Sequence, residues 1–115
     1  MIIEKKDMKI EDVVNMRGGA GTVIKETIAP AEPSVHMRLF AKFTIRKGCS
    51  IGEHTHTAEV EYYYILSGEG IVTEADGEKI VKAGDVVITG WGNSHAIRNE
   101  KDEDLVFVAV IPTEK

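Results

Sequence analysis

The sequence predicts an all-β domain, a sandwich or closed barrel of short antiparallel strands. Three observations lead there. Residues 36–46 alternate: Met37, Leu39, Ala41, Phe43 and Ile45 fall on one face of an extended chain, and His36, Arg38, Phe40, Lys42 and Thr44 on the other. Aromatic and β-branched residues gather in short runs, such as the Tyr62-Tyr63-Tyr64-Ile65 stretch. Turn signals separate these runs about every ten residues, the spacing of a sandwich or barrel.

The elements follow in order. Residues 9–16 are the one helix candidate, a short one ended by Arg17-Gly18-Gly19. Gly18-Gly19-Ala20-Gly21 lacks the Lys-Ser/Thr end of a phosphate-binding loop, so it reads as a flexible turn. The two prolines in 29–33 mark an extended loop. The strand over 36–46 stops at Lys47-Gly48, and that over 61–66 at Ser67-Gly68. Asp76-Gly77 between residues 70–75 and 78–82 is a strong hairpin signal. Ala83-Gly84-Asp85 turns into a short apolar strand at 86–89, followed by Gly90-Trp91-Gly92-Asn93. Residues 94–98 and 104–111 are two further strands joined by the charged turn 99–103. No internal repeat or low-complexity segment interrupts this series.

At 115 residues the chain is expected to be a single domain over 1–115, with an N-terminal arm at 1–35 and the main barrel at 36–111. Its core is modest, and association with a second copy would help it. A formal net charge of -5 without any Lys/Arg cluster argues against nucleic-acid binding. No apolar run of about 18 residues is present, so no membrane span is expected. Residues 1–12 lack the apolar stretch of a secretory signal, and the single Cys49 forms no intrachain disulfide. A cytoplasmic location is the expectation. Cys49 reads as a small packing residue.

Three of the four histidines, His54, His56 and His95, stand in strand-like segments with Glu61 between them. Imidazole and carboxylate are the common protein ligands of transition metals. His54 and His56 are two apart, so on a strand their rings point the same way. Glu61 has the wrong parity and needs a bend or bulge at Thr57-Ala58 to join them. Glu59 shares that parity, and geometry alone does not choose between the two glutamates. His95 joins only if its strand lies close to the others in a closed sheet. His36 reads as a surface residue. Burying three neutral rings and a carboxylate without a metal would strand several polar atoms.

These spacings resemble the cupin superfamily. The first cupin motif, G(x)5HxH(x)3,4E(x)6G, is matched by Gly48, His54, His56, Glu61 and Gly68; the second, G(x)5PxG(x)2H(x)3N, by Gly84, Gly92, His95 and Asn99. The motifs span 48–68 and 84–99. Gly90 stands where the family has proline. The resemblance selects Glu61 over Glu59. It implies a jelly-roll-like β-barrel and one divalent metal (Mn, Fe, Ni, Co or Zn) held by His54, His56, Glu61 and His95, with coordination positions left for a small ligand. It also implies a homodimer built through the N-terminal strands.

The resemblance extends to oxalate-decarboxylase-type cupins, which carry an arginine three residues before HxH; here that position is Ile51. The reading is of an oxalate-decarboxylase-like or dioxygenase-like metal enzyme for a small carboxylate or oxygenated substrate, with oxalate turnover weak or absent. The alternatives are a non-catalytic cupin that binds a sugar or carboxylate, and an isomerase. Residue type nominates Tyr63, Arg98 and Glu59, with Arg38, as general acid or base. Tyr63 shares the face of Glu61 and should point at the metal. Trp91 is placed at the pocket rim or against a partner.

Overall fold

The computed structural model describes residues 1–114. Among these it has ten antiparallel strands: β1 (Lys9–Val14), β2 (Thr22–Ala29), β3 (Met37–Ile45), β4 (Ser50–Thr55), β5 (Val60–Ser67), β6 (Glu69–Glu74), β7 (Gly77–Lys82), β8 (Val86–Gly90), β9 (Ser94–Arg98) and β10 (Leu105–Pro112). They form a six-stranded sheet, ordered β1-β2-β3-β10-β5-β8, and a four-stranded sheet, ordered β4-β9-β6-β7. Among the described residues the only helical pieces are single 3-10 turns at Lys5–Asp7, Met16–Gly18 and Pro33–Val35.

The helix candidate at 9–16 is corrected. Residues Lys9–Val14 are β1, paired with β2 from Lys9↔Thr27 to Val14↔Thr22. A segment this short nucleates a helix poorly, whereas Ile10, Val13 and Val14 suit an extended chain whose backbone groups β2 satisfies. The β6–β7 hairpin also sits one residue earlier than expected. Glu74 pairs with Gly77, so Ala75-Asp76 is the turn and Gly77, at φ 123°, opens β7.

The core lies between the sheets. Ala41, Phe43 and Ile45 on β3, Tyr63 and Ile65 on β5, and Leu105, Phe107 and Ala109 on β10 face Ile51, Val72, Val81 and Ile97 of the smaller sheet. The alternation seen in the sequence produces this: every second residue of β10 from Leu105 to Ile111 is buried. Two motif residues serve this core rather than the site. Gly68 has φ 82° and lies against the backbone of Asp104 and Leu105, where a Cβ would collide. Asn99, 1% exposed, donates from Nδ2 to the carbonyls of Ile45 (2.9 Å) and Glu103 (2.8 Å) and accepts from the Lys101 N–H (2.9 Å), tying the β9–β10 turn to β3.

Candidate metal centre

Three strands and one irregular corner assemble the site. The β4–β9 ladder shifts register between Ile51 and His54, after which His54 faces His95 directly. Beyond β4, Ala58 takes a left-handed conformation (φ 57°), uncommon for a residue with a side chain. That corner turns the chain between His56 and β5, so Glu61 enters the same interior space. The expected bend at Thr57-Ala58 is where the chain makes it.

The structure brings His54, His56, Glu61 and His95 together, with one donor atom of each lying within 4.8 Å of all the others. His95 Nε2 lies 3.0 Å from His54 Nε2 and 3.1 Å from His56 Nε2. Glu61 Oε1 lies 2.9 Å from Nε2 of both His56 and His95, and 3.7 Å from that of His54. Six-coordinate metals with bonds near 2.1 Å place adjacent ligands about 3.0 Å apart, whereas a tetrahedral site spaces them about 3.4 Å apart. Four of the five spacings match the six-coordinate case.

The other nitrogen of each ring is already committed. His54 Nδ1 donates to the Gly52 carbonyl (2.7 Å) and His56 Nδ1 to the Glu59 carboxylate (2.5 Å), and His95 Nδ1 pairs with Thr89 Oγ1 (2.8 Å). With Nδ1 of His54 and His56 turned outward to these acceptors, it is their Nε2 atoms that face the Glu61 carboxylate. Burial alone would raise the Glu61 carboxyl, but the His54 and His95 imidazoles hold it down at about 2, so it is ionised. Burial lowers the His95 pKa against the opposing pull of Glu61, favouring its neutral form. The cluster turns three imidazole Nε2 atoms and a carboxylate oxygen toward one another, and all four are ordinary metal-donor types. The residues fit a divalent metal.

Residues 41–111 match the family model described as the cupin domain, Cupin_2. The chain belongs to the cupin family. The oxalate-binding protein of Thermotoga maritima is 41% identical over 113 residues, covering 96% of this cupin and 93% of that protein. A solved Thermotoga maritima structure described as a predicted oxalate decarboxylase superposes with a TM-score of 0.92 at 39% identity, covering 98% of this chain and 99% of that one. An RmlC-like cupin of Shewanella frigidimarina superposes with a TM-score of 0.77 at 16% identity, covering 98% and 90%. That last likeness speaks to the fold alone.

In this cupin the other nominated residues separate. Tyr63 is 2% exposed, stacks on the His95 ring and brings its hydroxyl to 3.4 Å from His95 Nε2. Burial and the Glu61 carboxylate push its phenol well above the ordinary range, so it keeps its proton. Glu59 is turned away from the metal position. It accepts from His56 Nδ1 and is clamped by Arg38, whose Nε and an Nη donate at 2.7 and 2.8 Å. Arg38 and then His56, against the opposing effect of burial, hold its pKa at about 2, well below the usual carboxylate range. Glu59 therefore fixes the His56 tautomer, and Arg38 holds Glu59.

The expectation that Arg98 reaches the site is corrected. Arg98 alternates with the buried Ile97 on β9 and pairs with Glu78 and Glu100. It lines a surface hollow with Gly19, Ser50 and Thr73, none of them in the ligand cluster. Trp91 is 75% exposed with φ 56°, beside a second hollow shared with Tyr62 and Pro112. His36 is exposed at a left-handed turn. Sequence reading missed Thr89, a small polar residue inside an apolar strand that pairs with His95, and it did not weigh Arg17, whose charge reaches Tyr63.

Proposed function

We propose that this cupin holds one divalent transition metal through His54, His56, Glu61 and His95 and uses it to bind a small carboxylate of the oxalate class. The observation that supports this most is the set of three Nε2 atoms gathered around one ionised carboxylate at spacings of 2.9–3.1 Å. Three imidazoles and one carboxylate leave a six-coordinate metal two open positions, where the metal supplies Lewis-acid attraction for an anion. The chain's residues do the rest. Glu59 and the Gly52 carbonyl orient the His56 and His54 rings, and Tyr63 offers a phenol proton beside His95. The 41% identical relative is named for oxalate binding, which agrees with this chemistry.

A second reading, decarboxylation or another turnover at the same centre, draws on Tyr63. Its buried phenol is a retained proton within reach of the ligand position. Binding is preferred because every other acid near the cluster is occupied: Glu61 faces the metal position and Glu59 is shared by Arg38 and His56. The proposal includes a homodimer and a cytoplasmic location. Tyr62, Tyr64, Leu66, Val86 and Ile88 are all exposed on the outer face of β5 and β8, an apolar patch that suits a second copy. No helix among the described residues is long and apolar enough to cross a membrane.

The test is calorimetric titration of the Mn-loaded protein with oxalate, beside the same titration of metal-free protein. Saturable 1:1 binding only in the loaded sample is expected. Equal binding without metal would remove the reading, and steady CO2 release from bound oxalate would favour the turnover reading over simple binding. Sedimentation of Tyr64→Lys against the unmodified chain tests the dimer. A monomeric variant is expected, and an unchanged mass would rule this face out.

A further inference from the structure

Thr89 is the one residue of β8 with a polar side chain. Alternation along the strand turns Val87 and Thr89 inward and leaves Val86 and Ile88 exposed. Thr89 stands opposite Glu61 in the β5–β8 ladder and is 3% exposed. Valine has nearly the same shape and suits a buried strand position without a hydroxyl to satisfy. The hydroxyl here makes a contact of 2.8 Å with His95 Nδ1.

The three rings differ in what holds Nδ1. The Gly52 carbonyl beside His54 and the ionised Glu59 carboxylate beside His56 can only accept a hydrogen bond, so neither ring has a choice of direction there. A hydroxyl can donate or accept. Of the three ligand rings, His95 is the one with such a partner.

His95 is also the hub of the cluster. Its Nε2 lies 2.9 Å from Glu61 Oε1, 3.0 Å from His54 Nε2 and 3.1 Å from His56 Nε2, with the Tyr63 hydroxyl at 3.4 Å. The first is an ordinary N–H···O distance. Burial favours the neutral ring, which carries a single proton. Placed on Nε2, that proton is donated to Glu61; placed on Nδ1, it frees Nε2 for a cation. No buried side-chain nitrogen or oxygen among the described residues lacks a partner, so the cluster can satisfy itself from its own atoms.

We infer that Thr89 is the positioning residue that lets His95 exchange between two neutral tautomers, one closing the metal-free centre and one open to a metal. In the first, Thr89 Oγ1–H donates to Nδ1 and His95 Nε2–H donates to Glu61. In the second, the hydroxyl turns and accepts from Nδ1–H, and Nε2 presents its lone pair. The ring loses a proton at Nε2 and gains one at Nδ1, so its charge is unchanged. The inference rests on the reading that the centre holds a divalent metal. It accounts for a hydroxyl where the strand would take valine. An acceptor-only partner would serve the second form alone, and an apolar one would leave Nδ1 buried without a partner in both.

The experiment uses the 15N-labelled full chain, dialysed against chelator and then loaded with Zn, unmodified and as Thr89→Val and Thr89→Ser. Long-range proton–nitrogen NMR spectra report which nitrogen of each ring carries the proton, and the His95 signals are those missing from His95→Ala. In the metal-free unmodified protein His95 is expected as Nε2–H, and after Zn loading as Nδ1–H. Competition with a chelator of known affinity should show Zn binding about 10- to 100-fold weaker in Thr89→Val and close to the unmodified value in Thr89→Ser. His95 found as Nδ1–H in the metal-free protein overturns the exchange, as does unchanged Zn affinity in Thr89→Val. If Thr89→Val does not fold, the two spectra of the unmodified protein decide. No Zn uptake by the unmodified protein overturns the metal reading and this one together.

Discussion

His95 and Asn99 stand at the two ends of β9, about 13 Å apart along the strand, and each is 1% exposed. Both are polar and sit in matched cupin motif positions, yet their surroundings differ in kind. The Asn99 amide meets two carbonyls and its oxygen meets one N–H, so the protein itself satisfies it. His95 has one nitrogen paired with Thr89, while the other faces two further imidazole nitrogens and a carboxylate oxygen. Burial and polarity therefore do not mark a site. A buried imidazole nitrogen surrounded by the metal-donor atoms of other side chains does, because one added cation can be shared by all of them.

The sharpest break of this comparison is a pair of substitutions. His95→Ala should abolish stoichiometric Mn or Zn binding, measured by metal analysis after dialysis, and leave the β-type circular dichroism intact. Asn99→Ala should do the reverse. It strands the Ile45 and Glu103 carbonyls and the Lys101 N–H, which costs about 1–3 kcal/mol of stability, read from denaturant unfolding, at unchanged metal content. Metal retained in the first variant, or lost in the folded second, would erase the distinction drawn between the two ends.

Much of this contrast was legible in the sequence. The two-residue spacing of His54 and His56 and the alternation over 36–46 report strand geometry directly, because side chains on a strand repeat every two residues. The need for a corner at Thr57-Ala58 followed from the parity of Glu61. What stayed hidden depended on partners distant in sequence. Residues 9–16 become a strand only because β2 is there to pair with them. Arg98 turns outward because Glu78, twenty residues away, meets it there. Glu59 and Glu61 have the same parity, and the Arg38 clamp that draws Glu59 aside lies twenty-one residues upstream.

Acidification sharpens the comparison further, since only one end of β9 titrates. In the metal-free chain burial lowers the His95 pKa below its usual 6.5. The unfolded chain then binds more protons than the folded one below about 6.5, so stability falls as pH drops through that value. Glu59 and Glu61 have folded values of about 2 against 4.5 ordinarily. Their contribution is full above about 4.5 and disappears as pH falls toward 2. Metal-free Tm should thus decline in two stages on going from pH 8 to pH 3. His95→Ala should lose the upper stage and Asn99→Ala should keep both. An upper stage that persists in His95→Ala would assign it to another group.

The smallest effects belong to the residues that orient the donors without being donors. Glu59→Gln leaves the volume unchanged but removes the charge that fixes the His56 tautomer, and loss of such a partner typically weakens metal binding about 10- to 100-fold. Arg38→Gln acts one step further out, on a side chain that is 43% exposed, and should cost less than Glu59→Gln. Arg98→Gln, which breaks a pair of similar geometry on the far side of β9, should leave metal affinity unchanged. Competition titration with a chelator of known affinity separates the three. That ranking follows from connection to the imidazoles and not from charge or burial of the arginine. Equal effects of Arg38→Gln and Arg98→Gln would show that general electrostatics govern the centre and that the Arg38–Glu59–His56 chain carries nothing specific.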